Sequence, residues 1–272
     1  FRDPIPAAGL AAPYPPLLIP DEFPMTFRST ANMRLNREQS KLAAYIFSKK
    51  PSDQQGDHLE ELLLKIGSQE VFRGDLYNLC PEWWVNEKML NTAAVVGSFE
   101  SILNHPNQST HSWFFPWQFA RDVTNNHSME AILAKYEGYW MLKTDELQQV
   151  FVIIREGSES WSMMYLDVKR WKVYALDVTR TDDTKLLREE VMTKLGLPDG
   201  ININSHDSSV WCLDWLVNFT QFSKKVFFNT WSTDYIRMNA AIKLVKSTPN
   251  SEWTVVDSKA EKLWKSMTRP NA

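Results

Sequence analysis

The residues best placed to support chemistry lie where three predicted strands face the polar start of a helix. Residues 150–154 are a continuous apolar run, and residues 161–168 and 172–177 are rich in aromatic and β-branched residues, with short polar breaks between them. The segment from Asn202 to Asn218 ends in a helix, because its apolar residues recur at helical spacing after a small polar start. This arrangement provides a place for a catalytic or binding site.

The histidines and cysteines do not form a metal-binding pattern. Cys80 and Cys212 are too few for a disulfide framework or a cysteine-based zinc site, and such a low cysteine content is typical of a reducing compartment. We therefore expect no metal, no cofactor, and a location in the nucleus or cytoplasm. The histidines that lie in scattered predicted loops, without a spacing such as HExxH, are His58, His105, His111 and His127.

Composition excludes several classes of function. The 272 residues are 43% hydrophobic and include 12 tryptophans, which is enough apolar material for a large folded core. The net charge of −3 argues against a protein built mainly to bind nucleic acid, and no apolar run approaches the roughly 18 residues of a membrane span. We therefore expect a protein partner, with no nucleic acid and no membrane.

The order of the predicted elements is helices, then strands, then helices, which indicates an α+β domain over residues 31–272. Residues 1–30 hold seven of the 14 prolines and are predicted to be an extended arm. The arm is either a partner-binding or self-association segment or a linker draped on the domain. The predicted helices are 37–49, one that has Asn86 as its N-cap, 185–195, 231–247 and 251–267, while 58–68 is predicted as mixed helix and loop and 71–79 as extended.

Four short motifs follow one another along residues 35–248. Residues 71–79 (VFRGDLYNL) and 84–87 (WVNE) come first, and a helix that begins near Leu35 precedes them. Ser160-Trp161 is followed by Asp177, and residues 207–211 (DSSVW) complete the order. Together they resemble the ubiquitin-like-protein-specific cysteine proteases, the SUMO protease family, whose blocks include WLND, a His-Trp pair with a later Asp, and DCGVF. The early helix is similar to that of plant and transposon-associated members.

The resemblance implies a papain-like α+β fold with a small mixed sheet flanked by helices. It also implies a site in which a cysteine thiolate, a histidine base and an orienting aspartate act together. The family's cysteine position is Ser208 here, its histidine position is Ser160, and its aspartate is retained as Asp177, 17 residues after Ser160 (177 − 160 = 17). The glycine after the cysteine is Ser209, and the oxyanion glutamine falls near Asn202. A serine hydroxyl without an imidazole is a very poor nucleophile near neutral pH.

Two other residues are candidates to replace the missing groups. His206 lies two residues before Ser208, but this local spacing does not reproduce a base on the facing strand. Cys212 lies one helical turn after Ser208 and is predicted to be a small buried core residue. Neither residue is expected to restore the chemistry.

Three residues that the resemblance assigns to modifier binding are retained. Trp84 and Trp161 match the tryptophans that line the channel for a modifier's Gly-Gly tail in the family, and Glu87 keeps an acid on the modifier-facing side. The alternative is that both tryptophans only support the core. Likewise, the aromatic residues 113–119 are predicted to pack in the core, although an exposed position would make them an interface.

Three hypotheses follow for the function. The first is a catalytically inactive SUMO-protease-like domain, a protein-binding or regulatory module that holds SUMO or another ubiquitin-like modifier without cleaving it. The second is an active deconjugating cysteine protease captured as a Cys-to-Ser mutant at Ser208. The third is a structural or self-associating interaction protein that binds no modifier.

Overall fold

The computed structural model describes residues 19–81, 83–103, 110–125, 127–156, 160–177, 200–203, 208–219 and 232–268. Its helices are α1 Arg37–Ile46, α2 Gln55–Leu59, α3 Arg73–Leu76, α4 Glu87–Leu103, α5 Trp117–Thr124, α6 Met129–Tyr136, α7 Ser208–Val217, α8 Thr233–Lys246 and α9 Trp253–Thr268. Its strands are β1 Leu62–Ile66, β2 Gln69–Phe72, β3 Ser112–Phe115, β4 Gln149–Glu156, β5 Ser160–Asp167, β6 Lys172–Asp177 and β7 Gly200–Ile203.

The main sheet is mixed, with the strand order β3-β4-β5-β6-β7. The central strands β4, β5 and β6 form an antiparallel meander, whereas β3 and β7 are added in parallel at the two edges. Strands β1 and β2 form a separate antiparallel hairpin. The predicted α+β class, with a small mixed sheet flanked by helices, is therefore confirmed.

Side chains alternate between the two faces of the sheet, because the side-chain period of a strand is two residues. One face packs against the helices of the larger core, which include α4 and α7, and the other packs against α5 and α6. The first face carries Phe151, Ile153, Trp161, Met163 and Leu176, and the second carries Val152, Ile154, Met164, Leu166 and Val173. Covering both faces buries the continuous apolar run of β4 on both sides.

Helix α4 lies close against β3 at a glycine. A Cβ atom at Gly97 would approach the ring of Phe114 to 3.1 Å, a separation that would force the ring to move. The helix begins after Asn86, whose Oδ1 accepts a hydrogen bond from the Met89 N–H at 3.0 Å, as predicted for an N-cap. The start of α4 is thereby fixed relative to the sheet.

Most of the predicted elements are confirmed, with two corrections. The prediction of mixed helix and loop for residues 58–68 is wrong over β1, which forms a hairpin closed by the two-residue turn Gly67-Ser68. Gly67 adopts a φ of 57°, which glycine tolerates without strain. The extended prediction for residues 71–79 is wrong beyond Phe72, because the Asp75 carboxylate accepts the Phe72 N–H at 2.8 Å and starts α3. The helix predicted over residues 185–195 lies outside the described residues.

The described part of the proline-rich segment packs on the domain. Ile19 and Phe27 are buried in the larger core, and Met25 forms an isolated bridge with Ser48. Arg28 donates hydrogen bonds to the main-chain oxygens of residues 20 and 21, each at 2.9 Å. Residues 1–18 lie outside the described residues.

A buried ion pair joins α1 to the residues on either side of the β1–β2 hairpin. Arg73 is fully buried, forms an ion pair with Glu61 and donates to the carbonyl oxygens of Tyr45 and Ile46 at the end of α1. Burial alone would raise the pKa of the Glu61 carboxyl, but hydrogen bonds from Arg73, Lys259 and Tyr45 outweigh it and lower the pKa to about 2. Burial beside Glu61 raises the pKa of the Tyr45 hydroxyl.

The first prediction concerns the stability that this ion pair contributes. Because the folded pKa of Glu61 lies below its ordinary 4.5, its contribution is present above pH 4.5 and is lost as the pH falls toward 2. We expect Glu61→Gln to lower the free energy of unfolding at pH 7 by about 2–3 kcal/mol, since Arg73 would remain buried without a counter-charge. The variant should also lose part of the acid dependence below pH 4.5 in urea unfolding.

Glu70→Gln is the matched control. Glu70 pairs with Lys65 at 2.6 Å, but both side chains are about 40% exposed, at 41% and 42%. Its loss should change the free energy of unfolding by less than about 0.5 kcal/mol. Equal effects of the two substitutions would contradict the assignment of the stability to the buried pair.

Candidate functional site

An open pocket lies where the start of α4 meets the paired ends of β4 and β5. Its volume is about 430 Å³. The residues that line it are Trp84, Val85, Asn86, Glu87, Lys88, Arg155 and Trp161. The pocket therefore brings together all three residues that the sequence assigns to binding, Trp84, Glu87 and Trp161, although they lie up to 77 positions apart (161 − 84 = 77).

An ion pair between α4 and the sheet closes one side of the pocket. Arg155 and Trp161 are directly opposed in the β4–β5 ladder, so their side chains lie on the same face. The Arg155 guanidinium donates to the carboxylate of Glu87, the first residue of α4. Glu87, which the sequence predicts on the modifier-facing side, thus has Arg155 as an intramolecular partner.

The tryptophan wall of the pocket is rigid. Trp161 is only 4% exposed, and its ring meets that of Trp117 edge to face, with centroids 6.4 Å apart. The Arg155 guanidinium lies 5.5 Å from both ring centroids, within the range of cation–π attraction. Trp161 therefore lines the pocket and also belongs to the larger core, so its predicted core role is confirmed, while its role in a modifier channel stays a prediction.

Trp84 has a different environment from Trp161. It is 60% exposed, and its neighbour Trp83 is 64% exposed, although only Trp84 lines the pocket. The main chain of this loop is anchored to α8, because the buried Arg237 of that helix donates to the carbonyl oxygens of Cys80 at 3.3 Å and Trp83 at 2.8 Å. The loop thus has an anchored backbone with an exposed indole at the mouth of the pocket.

Ser208 and the Ser160–Trp161 peptide are adjacent. Ser208 is the first residue of α7 and is 3% exposed, and its Oγ accepts a hydrogen bond from the Trp161 N–H at 3.1 Å. The start of α7 and the main chain that joins Ser160 to Trp161 in β5 are therefore adjacent, as expected for the two positions that the resemblance assigns to the cysteine and the histidine. The Ser208 hydroxyl is turned to the main chain of the strand in this conformation.

The two other positions that the resemblance assigns to the site lie on neighbouring strands. Asp177 pairs with Ser162 in the β5–β6 ladder, two residues from Ser160, and Asn202 pairs with Ala175 in the β6–β7 ladder. The side chains of Asp177 and Asn202 lie outside the described atoms. The backbone positions of these two residues are thus on the strands that follow β5 in the sheet.

Sequence reasoning missed several residues of the site. Glu156 is buried opposite Ser160 and accepts a hydrogen bond from the Ser162 hydroxyl at 2.7 Å. The predicted strand ended at Ile154, whereas β4 continues to Glu156. Arg155 and Glu156 were therefore both missed. The alternation of faces along β4 carries the signal, because residue 155 falls on the face of Phe151 and Ile153.

The described residues that line the pocket include no imidazole and no thiol. The His58 ring lies at hydrogen-bonding distance from the Ser48 carbonyl oxygen (2.7 Å), and the His111 ring from that of Glu146 (2.8 Å). Burial lowers the pKa of His58. Cys212 is fully buried in the larger core, as predicted. His105 and His206 lie outside the described residues.

Two other features are absent from the described parts of the chain. No group of three or more His, Cys, Asp or Glu side chains is arranged there to hold a metal ion. Nor does any helix described there have the length and apolarity to cross a bilayer. The aromatic residues 113–119 mostly face the core, with Phe114, Phe115 and Phe119 buried, so they form no broad exposed interface.

Comparison with known proteins gives a match in structure only. No protein-family model and no curated protein sequence matches the chain. Among solved structures, the SUMO protease Ulp1 with its catalytic cysteine oxidised to a sulfenic acid superposes with a TM-score of 0.55 at 14% identity, over 79% of this chain and 97% of that chain. The C-terminal Ulp1 protease domain in complex with Smt3, the yeast orthologue of SUMO, gives a TM-score of 0.54 at 15% identity, over 79% and 96%.

A fungal structure gives a similar match. The catalytic domain of the Ulp1-like SUMO protease of Chaetomium thermophilum superposes with a TM-score of 0.55 at 16% identity, over 82% of this chain and 94% of that chain. Sequence identities this low support a similarity of fold alone. This chain shares the mixed sheet and its flanking helices with the solved domains, and the match covers nearly their whole length. The chain therefore has the fold of the Ulp1-like SUMO proteases.

Proposed function

We propose that this domain is a catalytically inactive SUMO-protease-like module that binds the C-terminal tail of SUMO or another ubiquitin-like modifier without cleaving it. One observation carries the proposal. The aromatic pocket of Trp84 and Trp161 lies beside Ser208, and Ser208 is a buried hydroxyl in a hydrogen bond with the main chain of Trp161.

The aromatic lining of the pocket suits an extended, glycine-rich chain. A glycine has no side chain, so its backbone can pass between closely spaced aromatic rings where a larger residue would clash. The rigid Trp161 supplies one wall and the exposed Trp84 can cover the tail from the other side. The solved Ulp1 domain of the same fold is in complex with Smt3, which supports a modifier as the ligand here.

The missing chemistry argues for binding without cleavage. Hydrolysis of an amide by this fold needs a thiolate and a base that accepts its proton, and here Ser160 and Ser208 stand at those two positions. Loss of a general base alone costs about 10²–10⁴-fold in rate. The helix near Leu35 that resembles plant and transposon-associated members supports placing the chain in that branch, which is part of the same proposal.

The second prediction tests modifier binding at the pocket. In calorimetric titration, SUMO or ubiquitin that ends in its mature Gly-Gly tail should bind with a dissociation constant on the order of micromolar. Trp84→Ala should weaken this binding at least about tenfold, because the substitution removes one aromatic wall. Trp84 is 60% exposed, so the variant should keep the thermal stability of the native domain.

Trp83→Ala is the matched control for this experiment. Trp83 is the adjacent residue and is equally exposed, but it does not line the pocket, so its loss should leave the affinity unchanged. Absence of binding to both modifiers, or equal losses in the two variants, would overturn the proposed binding at the pocket.

The third prediction tests inactivity. The native domain should not hydrolyse a SUMO or ubiquitin C-terminal amide, and Ser208→Ala should not change this result. A Ser208→Cys form should react slowly with a modifier that carries a C-terminal electrophile, whereas a Ser160→His/Ser208→Cys form should react at least about 100-fold faster because a base is restored.

The rates of labelling can be read from the size shift of the adduct on a denaturing gel. Hydrolysis by the native chain that Ser208→Ala abolishes would contradict the inactive assignment. Rapid labelling of the Ser208→Cys form without Ser160→His would instead favour the second hypothesis, an active protease captured as a Cys-to-Ser mutant.

A further inference from the structure

The turn between β5 and β6 presents a tryptophan surrounded by basic side chains. We call residues 168–172 the hairpin tip. Trp171 is 57% exposed, which is unusual for so large an apolar ring, and three further residues of the tip are exposed cations. These cations are Lys169, Arg170 and Lys172.

The hairpin tip is held by hydrogen bonds within the turn and to the adjacent loop. The Arg170 N–H donates to the Asp167 carboxylate at 3.0 Å, and the Trp171 N–H donates to the Val168 carbonyl at 3.2 Å. The Val168 N–H donates to the Gln148 carbonyl of the adjacent loop at 2.8 Å. The exposed ring and cations therefore project from an ordered turn.

Trp171 occupies a backbone position that does not favour a bulky residue. Its φ is 52°, in the left-handed region where glycine or asparagine is the usual residue of a hairpin turn. A large ring at such a position, with more than half of its surface in water, adds little to the stability of the fold. A residue that is unfavourable for the backbone and mostly exposed is a candidate for a binding role.

The cations of the hairpin tip are largely uncompensated. Lys169 and Lys172 have no ion-pair partner among the residues that the structure describes, and Arg170, which is 72% exposed, meets the largely buried Asp167 at 3.4 Å. The hairpin tip itself contains three cations and no anion.

We propose that the hairpin tip binds a short acidic peptide segment of a partner protein that also carries an apolar side chain. The carboxylates would pair with Lys169, Lys172 and Arg170, and the apolar side chain would pack on Trp171. Tryptophan and arginine are the side chains that most often supply affinity at protein interfaces. An acidic peptide provides the complementary charge, which guides encounter and selects the partner.

The surroundings of the tip favour a peptide over an extended polyanion. Asp145 and Glu146 are exposed in the loop that reaches Gln148, and Gln148 is bonded to the base of the tip. A nucleic acid backbone or an anionic bilayer would bring negative charge close to these carboxylates. A short peptide can place its acidic groups at the cations alone.

The tip is separate from the pocket. Trp161 and Asp167 lie near opposite ends of β5, and six residues of strand span about 20 Å. Binding at the tip therefore does not depend on the proposed function of the pocket.

The fourth prediction tests this surface by fluorescence anisotropy. The probe is a fluorescein-labelled peptide in which Glu alternates with Leu and Phe, and the same peptide with Gln for Glu is the charge control. The acidic peptide should bind the native domain, and added salt should weaken the binding. Trp171→Gly and Lys169→Gln/Lys172→Gln should each weaken it at least about tenfold.

Two comparisons separate binding from folding. Trp171→Gly should melt at the same temperature as the native domain or at a higher one, because glycine suits a positive φ. Lys49→Gln/Lys50→Gln removes two other exposed lysines and should leave the peptide affinity unchanged. Since the lysine variants keep the turn conformation, they test the proposal even if Trp171→Gly alters the hairpin.

Several results would overturn the proposal. One is no binding of the acidic peptide, and another is binding that neither the Trp171 nor the lysine variant changes. Tighter binding of a single-stranded oligo-dT or of phosphatidylserine vesicles, lost in the same variants, would assign the tip to a different class of partner.

Discussion

The position of the site depends on how the apolar helix α7 packs against β5. Helix α7 is buried over most of its length, with Val210, Cys212 and Leu213 fully enclosed, so its start has little freedom relative to the sheet. This packing places the Ser208 hydroxyl against the Ser160–Trp161 peptide and leaves the Trp161 ring facing the pocket. Both halves of the candidate site, the serines at 160 and 208 and the aromatic wall, therefore meet at one contact between a helix and a strand.

Serine at positions 160 and 208 is compatible with this contact. A small hydroxyl at Ser208 finds a main-chain donor on β5, so the buried polar group is satisfied without an imidazole. The binding wall is supported independently by Trp117, Arg155 and Glu87. The contact at Ser208 and the aromatic wall therefore have two separate supports.

The central meander and the buried helices could be predicted because they have strong apolar periodicity. Strands β4, β5 and β6 and helices α7, α8 and α9 lie within a few residues of the expected bounds. Strands β3 and β7 were missed because each is only four residues long and is paired in parallel with a strand distant in the chain. The local sequence pattern does not indicate such pairing, because the partner strand lies far away in the sequence.

The site itself was only partly predictable. Trp84, Glu87 and Trp161 were placed together by resemblance, and the structure brings them to one pocket. Arg155, which links them, could not be identified from composition. Its role depends on its position opposite Trp161 in the sheet and on its hydrogen bond to Glu87 at the start of α4. Electrostatic partners across elements are a property of the assembled fold.

The buried guanidinium of Arg73 has a consequence for how the domain opens. It satisfies the terminal carbonyl oxygens of α1 at Tyr45 and Ile46, which lie 28 and 27 residues earlier in the chain. The last turn of a helix normally finds such partners in its own caps or in water. Here the end of α1 is completed by the segment that follows the β1–β2 hairpin, so the two regions gain or lose these bonds together. Amide protons at the end of α1 and in the hairpin therefore belong to one cooperative unit of hydrogen exchange.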